Sequence, residues 1–89
     1  MDSITIDLNG RRCVLTRERV AELRDLAAND AGSSSARRDL SLVLERALHD
    51  RRAIVLRRGE IRALAGLLAS HSVGAEFDPL RAALALELN

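Results

Sequence analysis

Several residue types that usually mark a chemistry are scarce in this 89-residue sequence. It has no tryptophan or tyrosine and a single phenylalanine, so it lacks the aromatic platforms on which proteins stack single-stranded bases. It contains no glycine-rich phosphate-binding loop. Its single cysteine excludes an internal disulfide framework, and nothing in the sequence therefore points to an oxidising compartment.

Long apolar runs are also missing. The longest uncharged stretch, residues 63–75, spans 13 residues and includes two serines and a histidine. A membrane-spanning helix needs about 20 apolar residues. Asp2 and Asp7 lie where a secretory signal would be first basic and then apolar. We therefore expect a cytoplasmic protein with no membrane association.

Residues that support catalysis or metal binding are few and isolated. His49 and His71 have no second His or Cys at the spacing of metal ligands. Both are predicted at helix C-terminal ends, where the helix dipole favours positive charge. Cys13 alternates with outward positions of a predicted strand, so we expect it in the core rather than as a nucleophile. The sequence predicts a protein that is not an enzyme, without catalytic residues, metal site or cofactor.

What the sequence does contain is an internal repeat. The composition, 47% hydrophobic and 30% charged, is that of one folded domain covering residues 1–89. Residues 11–28 and 52–69 are identical at seven of eighteen aligned positions: Arg11/Arg52, Val14/Val55, Leu15/Leu56, Arg17/Arg58, Leu23/Leu64, Leu26/Leu67 and Ala28/Ala69. We predict two units of about forty residues, residues 11–50 and 51–89, preceded by an extra segment, residues 1–10.

Each unit has the pattern of a strand followed by two helices. Short β-branched runs at residues 13–15 and 53–56 favour strand. Apolar residues at helical spacing follow each run, and Thr16 is the predicted N-cap of the first helix. The second helices are predicted to start within residues 33–39 and at Asp78, where Pro79 suits the first turn.

The extra segment predicts a β-hairpin with the first unit. Residues 4–8 alternate apolar and polar, and Asn9-Gly10 is the strongest short hairpin signal. A two-residue turn places Asp7 opposite Arg12 and turns Val14 outward. The predicted fold is therefore α+β: a small antiparallel three-stranded sheet, its strands ordered as in the chain, backed by four helices in two pseudo-twofold strand–helix–helix repeats.

Two such units with paired strands resemble the ribbon-helix-helix family of bacterial DNA-binding proteins, normally homodimers whose strands form an antiparallel ribbon. The resemblance covers residues 12–49 best, through the stretch VLTRERVAELRDLAANDAGSSSARRDLSLVLERALH, and residues 53–88 more loosely. With both halves in one polypeptide, the chain is similar to the tandem members of that family. The resemblance implies a small bacterial transcription regulator that binds duplex DNA.

The resemblance also implies a set of DNA-binding residues. Outward residues of the ribbon read bases in that family, and the N-terminus of the second helix holds a phosphate. The corresponding ribbon positions here are Arg12, Val14 and Thr16 in the first unit, and Ala53, Val55 and Arg57 in the second. The corresponding phosphate positions are Ser34, Ser35 and Arg37.

Three features of the sequence oppose DNA binding. The formal net charge is only +1, and the second unit has Glu76 and Asp78 at the phosphate position. A third strand adds about 4.8 Å to a ribbon that must enter a groove about 12 Å wide, and it brings Asp7 to the same face. The outward Val14 and Val55 fit equally a protein-interaction or homodimerisation module that uses this sheet face. Both functions stay open, and the family resemblance places DNA binding first, with the interaction module as the alternative.

Overall fold

The chain folds into a three-stranded sheet and four helices, as a computed structural model that describes residues 3–29, 35–50, 53–71 and 74–88. The elements in chain order are β1 (Ser3–Leu8), β2 (Arg11–Thr16), α1 (Arg17–Asn29), α2 (Ser35–Asp50), β3 (Ile54–Val55), α3 (Arg58–Ser70), a 3-10 turn (Ala75–Phe77) and α4 (Asp78–Leu88). The predicted α+β class and the predicted numbers of strands and helices are confirmed for these residues. None of the helices in the described ranges is long and apolar enough to cross a bilayer.

β1 and β2 form the predicted hairpin in the predicted register. Asn9 and Gly10 have φ angles of 56° and 104°, and positive values at both positions are those of a type I′ turn. Asp7 lies opposite Arg12, but Asp7 Oδ1 accepts a hydrogen bond from the Gly10 backbone N–H at 2.7 Å. The Asp7 carboxylate therefore stabilises the turn, and among the described residues it forms no ion pair with Arg12.

The order of the strands differs from the prediction. The sheet order is β2-β1-β3, so β1 is central and separates the two strands that were expected to form a ribbon. β1 pairs antiparallel with β2 and parallel with β3, which makes the sheet mixed. The predicted chain order of strands, the all-antiparallel sheet and the pairing of residues 12–16 with 53–57 about a local twofold axis are therefore wrong.

The physical reason lies in how the three strands are buried. Ile4, Ile6 and Leu8 of β1 are at most 2% exposed, so β1 is the strand whose side chains are most completely covered. β2 begins with the exposed Arg11 and Arg12, and charged residues are typical of sheet edges. A central position for β1 pairs the backbone of the strand with the most buried side chains on both sides, which the predicted order did not allow.

The four helices cover one face of this sheet and leave the other face open. The core contains the inward residues of the strands together with one stripe of each helix, including Val20, Leu44, Leu64 and Leu84. Phe77, in the 3-10 turn before α4, is fully buried. That turn was not predicted from the sequence. The element order strand–helix–helix does occur twice along the chain, but the two strands differ in length, pairing and direction.

Candidate interaction surfaces

The open side of the sheet forms a continuous surface. We define the outer sheet face as the surface carrying Thr5, Asp7, Arg12, Val14 and Val55. Strand alternation places these side chains opposite the buried ones, as predicted for Arg12 and Val14. This face lies on the side of the sheet away from the helices, so any partner approaches it without displacing the core.

The two valines are the main apolar groups of the outer sheet face. Val14 is 63% exposed and Val55 is 68% exposed. Val14 lies beside Thr5 and Val55 lies beside Asp7, so the valines flank the central strand diagonally. Strand spacing and rise place them about 12 Å apart. Both side chains are therefore available to a partner that covers this face.

The charged positions predicted for DNA binding are exposed but not equivalent. Arg12 lies on the outer sheet face, and no ion pair joins it to any other residue that the structure describes. Arg57 follows β3, and its backbone N–H donates to Glu60 Oε1 at 2.8 Å at the start of α3. Ala53, before β3, is also exposed. The structure thus leaves both arginine side chains accessible to a ligand.

Thr16 has a local structural role. Its hydroxyl accepts a hydrogen bond from the Arg19 backbone N–H at 3.3 Å, which confirms the predicted N-cap of α1. The side chain is exposed, but the hydroxyl that would contact a base already satisfies the helix terminus.

The structure describes two of the three predicted phosphate positions. Ser34 lies outside the described residues, and Ser35 is the exposed first residue of α2. Arg37 is half-buried, and its Nη2 atom lies 3.4 Å from where a Cβ added to Gly66 of α3 would be. The Arg37 guanidinium therefore lies against α3 in the helical layer, behind the sheet.

The cysteine and histidines have the predicted placements. Cys13 is partly buried and packs against the core, and burial raises the pKa of its thiol. His49 lies in the last turn of α2, and His71 is the residue that ends α3. Within the described ranges, no three His, Cys, Asp or Glu residues cluster closely enough to hold a metal ion.

A second candidate surface was not predicted from the sequence. A groove of about 620 Å³ runs between β2 and α4, from Gly10 at the hairpin turn to Glu76 at the opposite end. Its α4 side is lined by Pro79, Ala82, Ala83 and Leu86. Their spacing is visible in the sequence as a helical stripe, but only the fold shows that this stripe borders β2 rather than the core. We call this surface the β2–α4 groove.

Comparisons with models of protein families, with curated proteins and with solved structures find no match to this chain. The chemistry of the outer sheet face and of the β2–α4 groove therefore carries the functional interpretation.

Proposed function

We propose that this protein is a non-enzymatic interaction module that self-associates through the outer sheet face. The observation that carries the proposal is the exposure of Val14 and Val55, 63% and 68%, on the same open face. A twofold contact through this face would bury four such side chains, two from each copy.

The expected association is weak. A fully buried valine contributes about 1.5–3 kcal/mol, and these side chains are about two-thirds exposed, so four of them contribute roughly 4–8 kcal/mol. Association itself costs about 4–15 kcal/mol in lost translational and rotational freedom. The gain and the cost are of similar size, so the complex should form at high protein concentration and dissociate on dilution.

Charges on the outer sheet face fit a symmetric contact. Asp7 and Arg12 are neighbours on adjacent strands and have opposite signs. In a twofold arrangement, Arg12 of one copy can approach Asp7 of the other, and the reverse contact follows by symmetry. Such a pair at the rim of an interface adds specificity more than affinity.

Sedimentation equilibrium tests the proposal. The parent protein should show a mass that rises with concentration, and the V14E/V55E variant should remain monomeric because it places charge in the contact. Ala28 provides the control: it is exposed on α1, in the helical layer on the other side of the sheet, so A28E should associate like the parent. A parent that stays monomeric at all concentrations, or a folded V14E/V55E variant that associates normally, would contradict the proposal.

DNA binding is a second proposed function, supported by the exposed Arg12 and Arg57 and by the resemblance of residues 12–49 to ribbon-helix-helix regulators. In this version the protein is a cytoplasmic bacterial regulator, although β1 separates the two strands that form the ribbon in that family. It ranks second because Asp7 lies between Arg12 and Val55 on a three-stranded face, while a major groove about 12 Å wide admits a two-stranded ribbon.

Gel retardation with random duplex DNA tests this second function. The parent should retard DNA at low salt, and R12A/R57A should weaken binding and reduce its dependence on salt concentration. Absence of retardation by the parent at low salt would rule out this function.

A further inference from the structure

The outer edge of β2 has free backbone groups. The Asp7 carbonyl accepts a hydrogen bond from the Leu56 N–H at 2.9 Å, so the backbone of Asp7 is directed towards β3. Its partner Arg12 must then direct its own N–H and C=O away from β1, because antiparallel pairs alternate between bonded and non-bonded positions. The same alternation applies to Val14. Since β2 is an edge strand, these groups point away from the sheet.

An apolar floor lies along this open edge. The β2–α4 groove joins the edge to Pro79, Ala82, Ala83 and Leu86 of α4, and Leu86 is 57% exposed. An extended segment paired with β2 would direct every second side chain into this groove. The site thus combines main-chain hydrogen bonds with an apolar surface, the two components of strand-addition recognition.

Charge at the turn end of the groove defines the occupant. Arg12, at the end near the turn, has no ion pair with another described residue, and it calls for an acidic side chain opposite. Glu76 lines the other end, but Arg19 Nη1 already donates a hydrogen bond to its Oε1 at 3.0 Å. An antiparallel segment therefore needs an acidic residue near its C-terminus, opposite Arg12.

A second copy of β2 does not satisfy this requirement. Its sequence, RRCVLT, contains no acidic residue, so antiparallel pairing of two β2 strands leaves Arg12 without an opposite charge. We propose that the β2–α4 groove binds an extended segment of another protein, with alternating apolar residues that face α4 and an acidic residue opposite Arg12. The groove shares Arg12 and Val14 with the outer sheet face but adds the edge of β2 and the α4 side chains, and self-association is not required for this proposal.

The chain itself suggests a probe. β1 pairs antiparallel with β2, turns its isoleucines inward and places Asp7 opposite Arg12, so its sequence SITIDL has the required alternation and acidic residue. The probe is a peptide, RSITIDL, that carries fluorescein on its N-terminal amine, has an amidated C-terminus and has an added N-terminal arginine that balances the charge of its aspartate. The control peptide, RSITINL, removes only the negative charge.

Fluorescence anisotropy with the full chain measures binding. We expect RSITIDL to bind the parent about tenfold more tightly than RSITINL at low salt, because one charge-assisted contact is lost. R12P should abolish binding, since proline removes an N–H that faces solvent in the free protein and is tolerated at an edge. R12A keeps that N–H and should reduce affinity only to the level of the uncharged peptide.

Variants of the groove and of the outer sheet face separate this proposal from self-association. L86E should weaken peptide binding more than tenfold because it places charge on the apolar floor, and V55E should bind like the parent. Each variant must retain the circular dichroism spectrum of the parent, and A82E replaces L86E if that variant fails to fold. No peptide binding by the parent, unchanged binding by folded L86E, or loss of self-association in L86E would each overturn the proposal.

Discussion

The two outer strands of the sheet, β2 and β3, differ although each begins a strand–helix–helix segment. β2 forms six antiparallel pairs with β1 and is joined to it by a two-residue turn. β3 forms two parallel pairs with the opposite edge of β1, and both helices of the first segment precede it in the chain. The turn chemistry fixes the first pairing locally, whereas the second depends on how the helices pack.

The same difference separates the successful predictions from the unsuccessful ones. Asn9-Gly10 determines a turn, and the turn determines the register, so the facing directions of Asp7, Arg12 and Val14 could be derived from the sequence. The strand that pairs with β3 could not be derived from the sequence, because the apolar run at residues 53–56 fits beside either β1 or β2. The choice depends on the burial of β1 as a whole, which appears only when all elements are assembled.

One candidate surface could be predicted from the sequence and the other could not. The outward direction of Val14 follows from the hairpin register, and that of Val55 from strand alternation, so the sequence predicted an exposed pair. The β2–α4 groove could not be predicted, since it requires knowing that β2 is an edge strand and that Leu86 lies along it. Ser35 and Arg37 were assigned through the family resemblance, and the contact of Arg37 with α3 could not be predicted from the sequence.

The largest expected loss of stability comes from truncating a side chain of the central strand, and a matched truncation in the short edge strand β3 should cost less. Ile6 is fully buried in β1, and I6A should destabilise the protein by about 3–5 kcal/mol through lost burial and a cavity. Ile54 of β3 is only partly buried, so I54A should cost about 1–2 kcal/mol. Urea unfolding of both variants measures the difference. Equal losses would mean that β3 contributes as much to the fold as β1.

A pair of glycine substitutions tests the turn that distinguishes β2 from β3. Gly10 has a φ of 104°, which an L side chain rarely adopts, so G10A should destabilise by about 1–2 kcal/mol. Gly59, in the first turn of α3 after β3, has open space where a Cβ would be, so G59A should be neutral or stabilise by about 0.5 kcal/mol. Thermal unfolding compares them. A tolerated G10A would show that the turn does not determine the hairpin.

The ion pair between α1 and α2 should contribute less to the free energy of unfolding than Ile6 or Gly10. Arg24 Nη1 lies 2.7 Å from Glu45 Oε2, and this hydrogen bond with Glu45 raises the pKa of Arg24 further. Both side chains are partly exposed, so E45Q should cost only about 0.2–1 kcal/mol, and the loss should shrink in high salt. Urea unfolding at low and high salt measures this. A larger loss that salt does not reduce would indicate a packing role for Glu45.

The smallest expected effect concerns alkaline pH. Burial raises the pKa of the Cys13 thiol above its ordinary value of 9.0, so the folded state favours the neutral thiol. This contribution to the free energy of unfolding is present below about pH 9. It is lost as the pH rises through the pKa of the thiol in the folded protein. Ile54, the aligned residue of β3, has no such group. Unfolding measured from pH 7 to 10 should show a small decrease for the parent and none of this component for C13A.

Concentration-dependent NMR of the methyl groups tests most directly whether the outer sheet face is a contact surface. On dilution, the methyl resonances of Val14 and Val55 should shift as the association is lost, while that of Ala28 on α1 should stay constant. If the valine resonances remain fixed while that of Ala28 shifts, or if no methyl resonance changes across the concentration range, the outer sheet face is not the site of self-association.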